Sequence, residues 1–296
     1  MAKARALDKR RKSIKNIRKI TRTMELISTA RFKRAMDRAT AGTAYTRRIS
    51  ALVGHLAGLG LDVSHPLLAE RDTQRRALLL VLTANRGLCG GYNSAVMRLA
   101  IARWKELRQE VPETRLEVSG KRGDGAFRFR GIDPDEKFLH FEDRPAYGEV
   151  ELLANRYMES YVTGQMDRLD VVYTKFESLG RMVPVVQTLL PLVEVEGFEE
   201  EEGAEESAAK IQYEFLPSAM SILDEVVPMS FKVKLFKCFL DAAVTEQIAR
   251  MMAMKAATEN ADTMIGNLTM TYNRARQSQI TNEILEVISG AEALGG

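Results

Sequence analysis

Cysteine is scarce in this 296-residue chain, with Cys89 and Cys238 as the whole supply. They lie far apart and fit no metal-ligand or redox spacing, so two reduced thiols are expected and a disulfide framework is excluded. The histidines, His55, His65 and His140, show no ligand spacing either, and no metal site is expected. No Ser/His/Asp or Cys/His set stands out, and no carboxylate pair stands apart from surface charge. Catalysis by this chain alone is therefore not expected. Long apolar runs are also missing. The longest purely aliphatic one is Ala77 to Leu82, against about 20 residues for a membrane span. Aromatic residues are only 7%, which leans toward helices over an all-β sandwich. Proline is absent before Pro66 and after Pro228. Because proline breaks helices, both ends of the chain can be long helices, with a mixed region between them.

The periodicity agrees. Ile17, Ile20, Met24 and Ile27 follow a 3-4-3 spacing, a narrow heptad-like seam. Helical character extends through Ala35, Ala39, Ile49, Val53 and Leu56, and Gly58 and Gly60 end it. Such a helix would span roughly 80 Å. At the other end Phe236, Leu240, Ala243, Gln247 and Met251 line one face. Thr258, Ala261, Ile265, Leu268, Tyr272, Ala275 and Gln279 continue the rhythm. Two narrow-seamed helices at opposite ends predict an antiparallel coiled coil, over 1–60 and 216–296. Between them, Ala77–Leu82 reads as a buried parallel strand. Strands are also expected at 115–119 and 170–176, and helices at 94–109 and 150–164. Strand–helix alternation predicts a small α/β domain over 75–195.

Charge is lopsided. Residues 1–50 hold 16 Lys+Arg against 3 Asp+Glu, while residues 231–296 hold 7 of each. Eight glutamates fall within 194–206, the pattern of a solvated, flexible linker over 196–215. The basic N-terminus carries no apolar signal core, and its helical pattern starts by Ile14, so it reads as mature protein. A basic helix could bind nucleic acid, or it could face acidic protein surfaces. Arg86-Gly-Leu-Cys-Gly-Gly-Tyr-Asn93 follows a strand and opens a helix, where a phosphate loop would sit. It lacks the Gly-Lys-Ser/Thr ending of a P-loop, so a tight turn needing glycine is favoured. Met251, Met252 and Met254 read as helix packing.

Ile280, Thr281, Glu283, Glu286, Gly290 and Ala291 stand in the spacing of a known signature. In that pattern the stretch 280–293 resembles the F-type ATP synthase gamma subunit family. Lys19–Ile27, Arg86–Asn93, Tyr213–Ser218, Arg250–Asn260 and Tyr272–Gln277 are also similar to it, so the likeness spans nearly the whole chain. The resemblance implies a fold of two long terminal helices in an antiparallel coiled coil plus a Rossmann-like α/β domain, in which the Gly-rich loop is not catalytic. It implies a central rotor shaft that carries no catalytic residue and no cofactor. The implied partners are the α and β subunits of F1, the epsilon subunit and the c ring of Fo, with no nucleic acid and no transmembrane span. By the same likeness, Arg276, Gln277, Thr281 and Glu283 would contact β loops, with Met24 and Arg22 as second candidates. Tyr213 and Glu214 would form the foot on the c ring or epsilon. Chloroplast members carry a cysteine pair in an extra insert, where this chain has glutamates. A bacterial type without thiol regulation is expected, peripheral on the cytoplasmic face of the inner membrane. A basic coiled-coil nucleic-acid binder is the alternative.

Overall fold

The computed structural model describes residues 2–58, 65–69, 71, 73–141, 144–192 and 219–295. The expected acidic linker, with Tyr213 and Glu214, lies outside them. The chain forms two compact units, Ala30–Ala249 and the pair Met1–Thr29 with Arg250–Gly296.

The larger unit is built on a five-stranded sheet. Its strands are β1 (Arg76–Leu82), β2 (Glu113–Ser119), β3 (Glu136–Phe138), β4 (Arg168–Ser178) and β5 (Arg181–Leu190), in the order β3-β2-β1-β4-β5. The first four run parallel, and β5 returns antiparallel along β4. Side chains alternate across a strand, and β1 shows why its run is apolar throughout. Ala77, Leu79 and Val81 face Val96, Met97, Ala100 and Leu107 of helix α2 (Tyr92–Glu110). Leu78, Leu80 and Leu82 join the opposite core. There they meet Val150, Leu153, Ala154, Tyr157 and Tyr161 of α4 (Tyr147–Val162), and Phe231, Leu235 and Phe239 of the long C-terminal helix α5 (Ala219–Gly295). The strand is thus covered on both faces, as parallel sheets require.

Three elements escape a periodicity reading. The short helix α3 (Lys121–Arg128) contains Gly123 and Gly125. Strand β3 has only three residues. Strand β5 contains Pro184, which pairs with Thr174 and is tolerated because β5 is an edge strand. Two buried carboxylates of the unit are closely partnered. Fully buried Asp170 accepts from Arg103 at 2.8 Å, Arg168 at 3.0 Å and Thr188 at 2.8 Å. Glu117 accepts from Tyr157 and Arg156, each at 2.6 Å. Desolvation still pushes its carboxyl above the usual range, against those two bonds.

The N-terminal helix α1 (Ala2–Gly58) also enters this unit. Ala35 and Ala39 pack there against Leu240, Val244 and Ile248 of α5. Alanine at these positions lets the two backbones approach closely.

In the smaller unit α1 and α5 run antiparallel. Thr258 donates to Thr21 (Oγ1 to Oγ1, 2.8 Å), Arg18 pairs with Asp262 at 2.6 Å, and Arg11 lies over the Tyr272 ring at 4.7 Å. As residue numbers fall along α1, their partners rise along α5. The α5 seam is the expected one: Thr258, Ala261, Ile265, Leu268, Tyr272, Ala275 and Gln279 are all buried or half-buried. The α1 seam is not. Ile17, Ile20 and Ile27 are exposed and Met24 is half-buried. The covered residues include Arg11, Ile14, Thr21, Met24, Glu25 and Ser28. The true seam sits one residue further along, a rotation of about 100° on the helix. Mostly small and polar side chains, with Ile14, face α5, and Ile17, Ile20 and Ile27 face outward.

Candidate functional site

Two places were open to a functional role: the Gly-rich turn after β1 and the coiled-coil pair. The strand order reverses between β1 and β4, and in open α/β sheets that switch point is the usual ligand crevice. Here the chain fills it. The first N–H groups of α3, which could hold an anion, are already taken. Lys121 N–H donates to Asn85 Oδ1 (3.0 Å), Arg122 N–H to the Ala84 carbonyl (3.1 Å) and Gly123 N–H to Thr83 Oγ1 (2.9 Å). Gly120 makes this fit possible. Its φ is +99°, and a Cβ there would lie 2.2 Å from the Thr83 carbonyl oxygen.

The far wall is α5. Tyr92 Oη donates to the Ala242 carbonyl at 3.2 Å, and Ala249 packs on Ala84, Cys89 and Tyr92. The turn uses two left-handed residues, Leu88 at φ +65° and Gly90 at φ +56°, and only at the second does glycine relieve the strain. The turn therefore works as a joint between sheet and helix, not as a phosphate cradle. Both cysteines are buried in this unit. Burial pushes the Cys238 thiol up to about 12, with Asp241 adding to the shift. A thiol so placed is inert near neutral pH.

The residues singled out on the coiled coil are all on helices, but they form two groups. Arg276, Gln277, Thr281 and Glu283 lie exposed within two turns of α5. Thr281 Oγ1 donates back to the Gln277 carbonyl at 3.0 Å, and Gln279 Nε2 donates to Glu283 Oε1 at 2.8 Å. Arg276 borders a groove of about 610 Å³ between α5 and the first turns of α1, shared with Arg5, Asp8, Lys9, Lys12 and Tyr272. A hydrogen bond from Lys12, then one from Arg11, holds the Asp8 carboxyl below its usual range against slight desolvation. Exposed Arg22 pairs with Glu25 at 2.8 Å, two residues from Met24. On α1 this second group lies roughly 15–20 Å along the axis from the groove. The structure does not bring the two groups together.

A surface that the sequence reading assigned elsewhere is the outward stripe of α1, with Ile17, Ile20, Leu26 and Ile27 all exposed. A signal for it existed. Ile14, Thr21, Ser28 and Ala35 form a seven-residue series of mostly small or polar residues beside the isoleucine series. Helix α5 carries a second stripe. Ile280, Ile284, Val287 and Ile288 follow one face, and every residue from Ile280 to Ala291 is exposed. Monomeric proteins seldom leave such stripes uncovered.

Comparison with known proteins bears on this arrangement. The ATP synthase family model matches residues 3–294. The ATP synthase gamma chain of Rhodopirellula baltica is 60% identical over 298 residues, covering all of both chains. That of Leptospira biflexa is 36% identical over 294 residues, 99% of this chain and all of the relative. Among solved structures, a chain of the Euglena gracilis mitochondrial ATP synthase OSCP/F1/c-ring assembly superposes with a TM-score of 0.65. It is 18% identical, with 99% of this chain and 95% of that one covered. A chain of the rotor of the same enzyme gives 0.60 at 15% identity, with 94% and 99% covered. These structural likenesses speak for the fold, while the sequence matches run from end to end. The chain belongs to the ATP synthase gamma-chain family.

Proposed function

We propose that this chain, the rotor of an ATP synthase central stalk, couples to its catalytic ring through the two exposed stripes and the polar residues that flank them. The observation that carries this reading is the inverted seam of α1. Thr21 and Ser28 face α5, and Ile17, Ile20 and Ile27 face outward, toward whatever surrounds the helix pair. In this reading the pair stands inside a ring of α and β subunits. Epsilon and the c ring bind elsewhere on the chain, with Tyr213 and Glu214 in the foot. Proton flow turns the c ring, and the chain turns with it. Each β subunit then meets a different face of an asymmetric pair. Coupling requires that these faces interact with different free energy with open and closed β states.

The chemistry of the surface suits rotation. Apolar stripes adhere without direction, so a neighbouring surface can slide along them. Arg276, Gln277, Thr281 and Glu283, and then Arg22, add polar contacts to β loops, with Met24 an apolar one. Such exposed pairs are individually weak, so none of them holds the rotor at one angle. Catalysis stays on the β subunits, and this chain supplies no reacting group. As a gamma chain it belongs to the peripheral F1 portion, and among the described residues no helix is long and apolar enough to cross a membrane. The cytoplasmic face of a bacterial inner membrane is the location this reading implies, supported by the bacterial relatives. Nothing in the comparisons favours the nucleic-acid reading of the basic helix.

The test is ATPase activity of an α–β complex assembled with this chain, wild type or carrying Arg276→Ala with Gln277→Ala. Rotation-coupled ATPase should fall while helix content is unchanged. Undiminished activity in a fully assembled complex would remove these two residues from the coupling surface.

A further inference from the structure

Strand β4 outruns one of its neighbours. Strand β1 pairs with it only from Arg168 to Val172, while β5 follows it to Ser178. Beyond Val172, β4 has one backbone edge with no strand beside it. Helix α5 lies there. Thr245 Oγ1, which donates mainly to the Asp241 carbonyl of its own helix at 2.7 Å, also reaches the Thr174 carbonyl at 3.3 Å, and the Asp241 carboxyl accepts the Phe176 N–H. The spacings match. Four residues of helix rise about 6 Å, and two residues of strand advance about 6.6 Å. One turn of α5 thus presents a donor and an acceptor in register with an orphaned strand edge.

Asp241 is an expensive choice of acceptor. It is buried, and its second oxygen, Oδ2, has no hydrogen-bond partner. The adjoining cluster is apolar, made of Leu240 and Val244 of α5, Phe176 of β4, Met182 of β5, and Ala35 and Ala39 of α1. The ionisable groups acting on it are Lys237 on α5 and Lys175 on β4, and its own charge in turn raises the neighbouring Cys238 thiol. Thr245 makes the companion contact without any charge, sharing its one proton with its own helix.

We propose that Asp241 is a proton-responsive clamp, seating α5 more firmly on the open edge of β4 when its carboxyl is protonated than when it is ionised. The supporting electrostatics are one-sided. Desolvation pushes the carboxyl from 3.8 up to about 6, against the two lysines and the Phe176 N–H, which pull it down. A carboxyl whose folded pKa is raised favours the closed state when protonated. That preference is full below pH 3.8 and is lost as pH rises through about 6. The clamp concerns the packing of this chain on itself, and it holds whatever the chain's partners are.

Amide hydrogen exchange on the full-length chain tests it, read at the Phe176 N–H, corrected for intrinsic exchange and referred to Leu80 in the centre of β1. Between pH 4.5 and 7.5 the opening equilibrium at Phe176 should rise about 25-fold, from the pKa values above. In Asp241→Asn the rise should vanish. An equal rise in the variant would overturn the proposal. If the variant does not fold, the wild-type profile decides: a Phe176 opening that does not change with pH relative to Leu80 overturns it as well.

Discussion

Ile20 separates two accounts of α1. By its spacing it belongs to the seam, and in the structure it is 62% exposed. Burying an isoleucine fully stabilises by about 2–3 kcal/mol. With roughly a third of the side chain covered, Ile20→Ser should cost the free chain no more than about 1 kcal/mol. Serine and isoleucine have nearly equal helix propensity, so the backbone adds little. The remaining one or two kcal/mol should appear only when a partner covers the stripe. Affinity for an α/β ring assembled without this chain should then fall about 5- to 30-fold. The internal control is Ala261, which sits in the true seam at 4% exposure. Ala261→Leu forces the helices apart and should cost the free chain about 1–3 kcal/mol. Chemical denaturation gives the first quantity, and titration of a labelled chain into the ring gives the second. A loss of 2 kcal/mol or more in free Ile20→Ser would refute the inverted seam. So would an unchanged affinity for the ring.

Two further outcomes probe the joint at the switch point. Gly120→Ala places a Cβ 2.2 Å from the Thr83 carbonyl oxygen at a positive φ; urea denaturation should show a loss of about 2–5 kcal/mol. Tyr92→Phe removes one bond to the Ala242 carbonyl while keeping the ring, so about 1 kcal/mol should be lost, and an unaltered midpoint would show that this bond contributes nothing to seating α5.

Much of the fold was legible in the residues. The six-residue run of β1 and the 3-4 spacing of α5 each reflect one dominant physical demand, burial of an apolar face, and the proline-free ends mark where a long helix is possible. The elements that escaped lack such a demand. Helix α3 is too short and glycine-rich to show a period. Strand β5 is an edge strand, so one proline costs it little. The N-terminal seam failed for a different reason. Two stripes one residue apart compete there, and apolarity marks a face meant to be covered without saying by what. On α5 no second series competes between Thr258 and Gln279, and the seam there read true. The candidate site was legible in another way. Arg276, Gln277, Thr281 and Glu283 are exposed polar residues on an exposed helix, which no periodicity could single out. They came from resemblance alone.

Pro184 has a consequence for the chain before it finds its partners. Thr174 turns its carbonyl toward Thr245, away from β5, so its pairing with Pro184 is of the kind that exchanges no hydrogen bonds. The position where Pro184 would carry an N–H therefore points off the sheet. An outer strand with a missing donor near its middle is a poor template for a second chain. At the opposite margin, β3 offers three residues, too few to recruit a stranger. A newly made copy can thus wait in a crowded cell without stacking onto its siblings edge to edge.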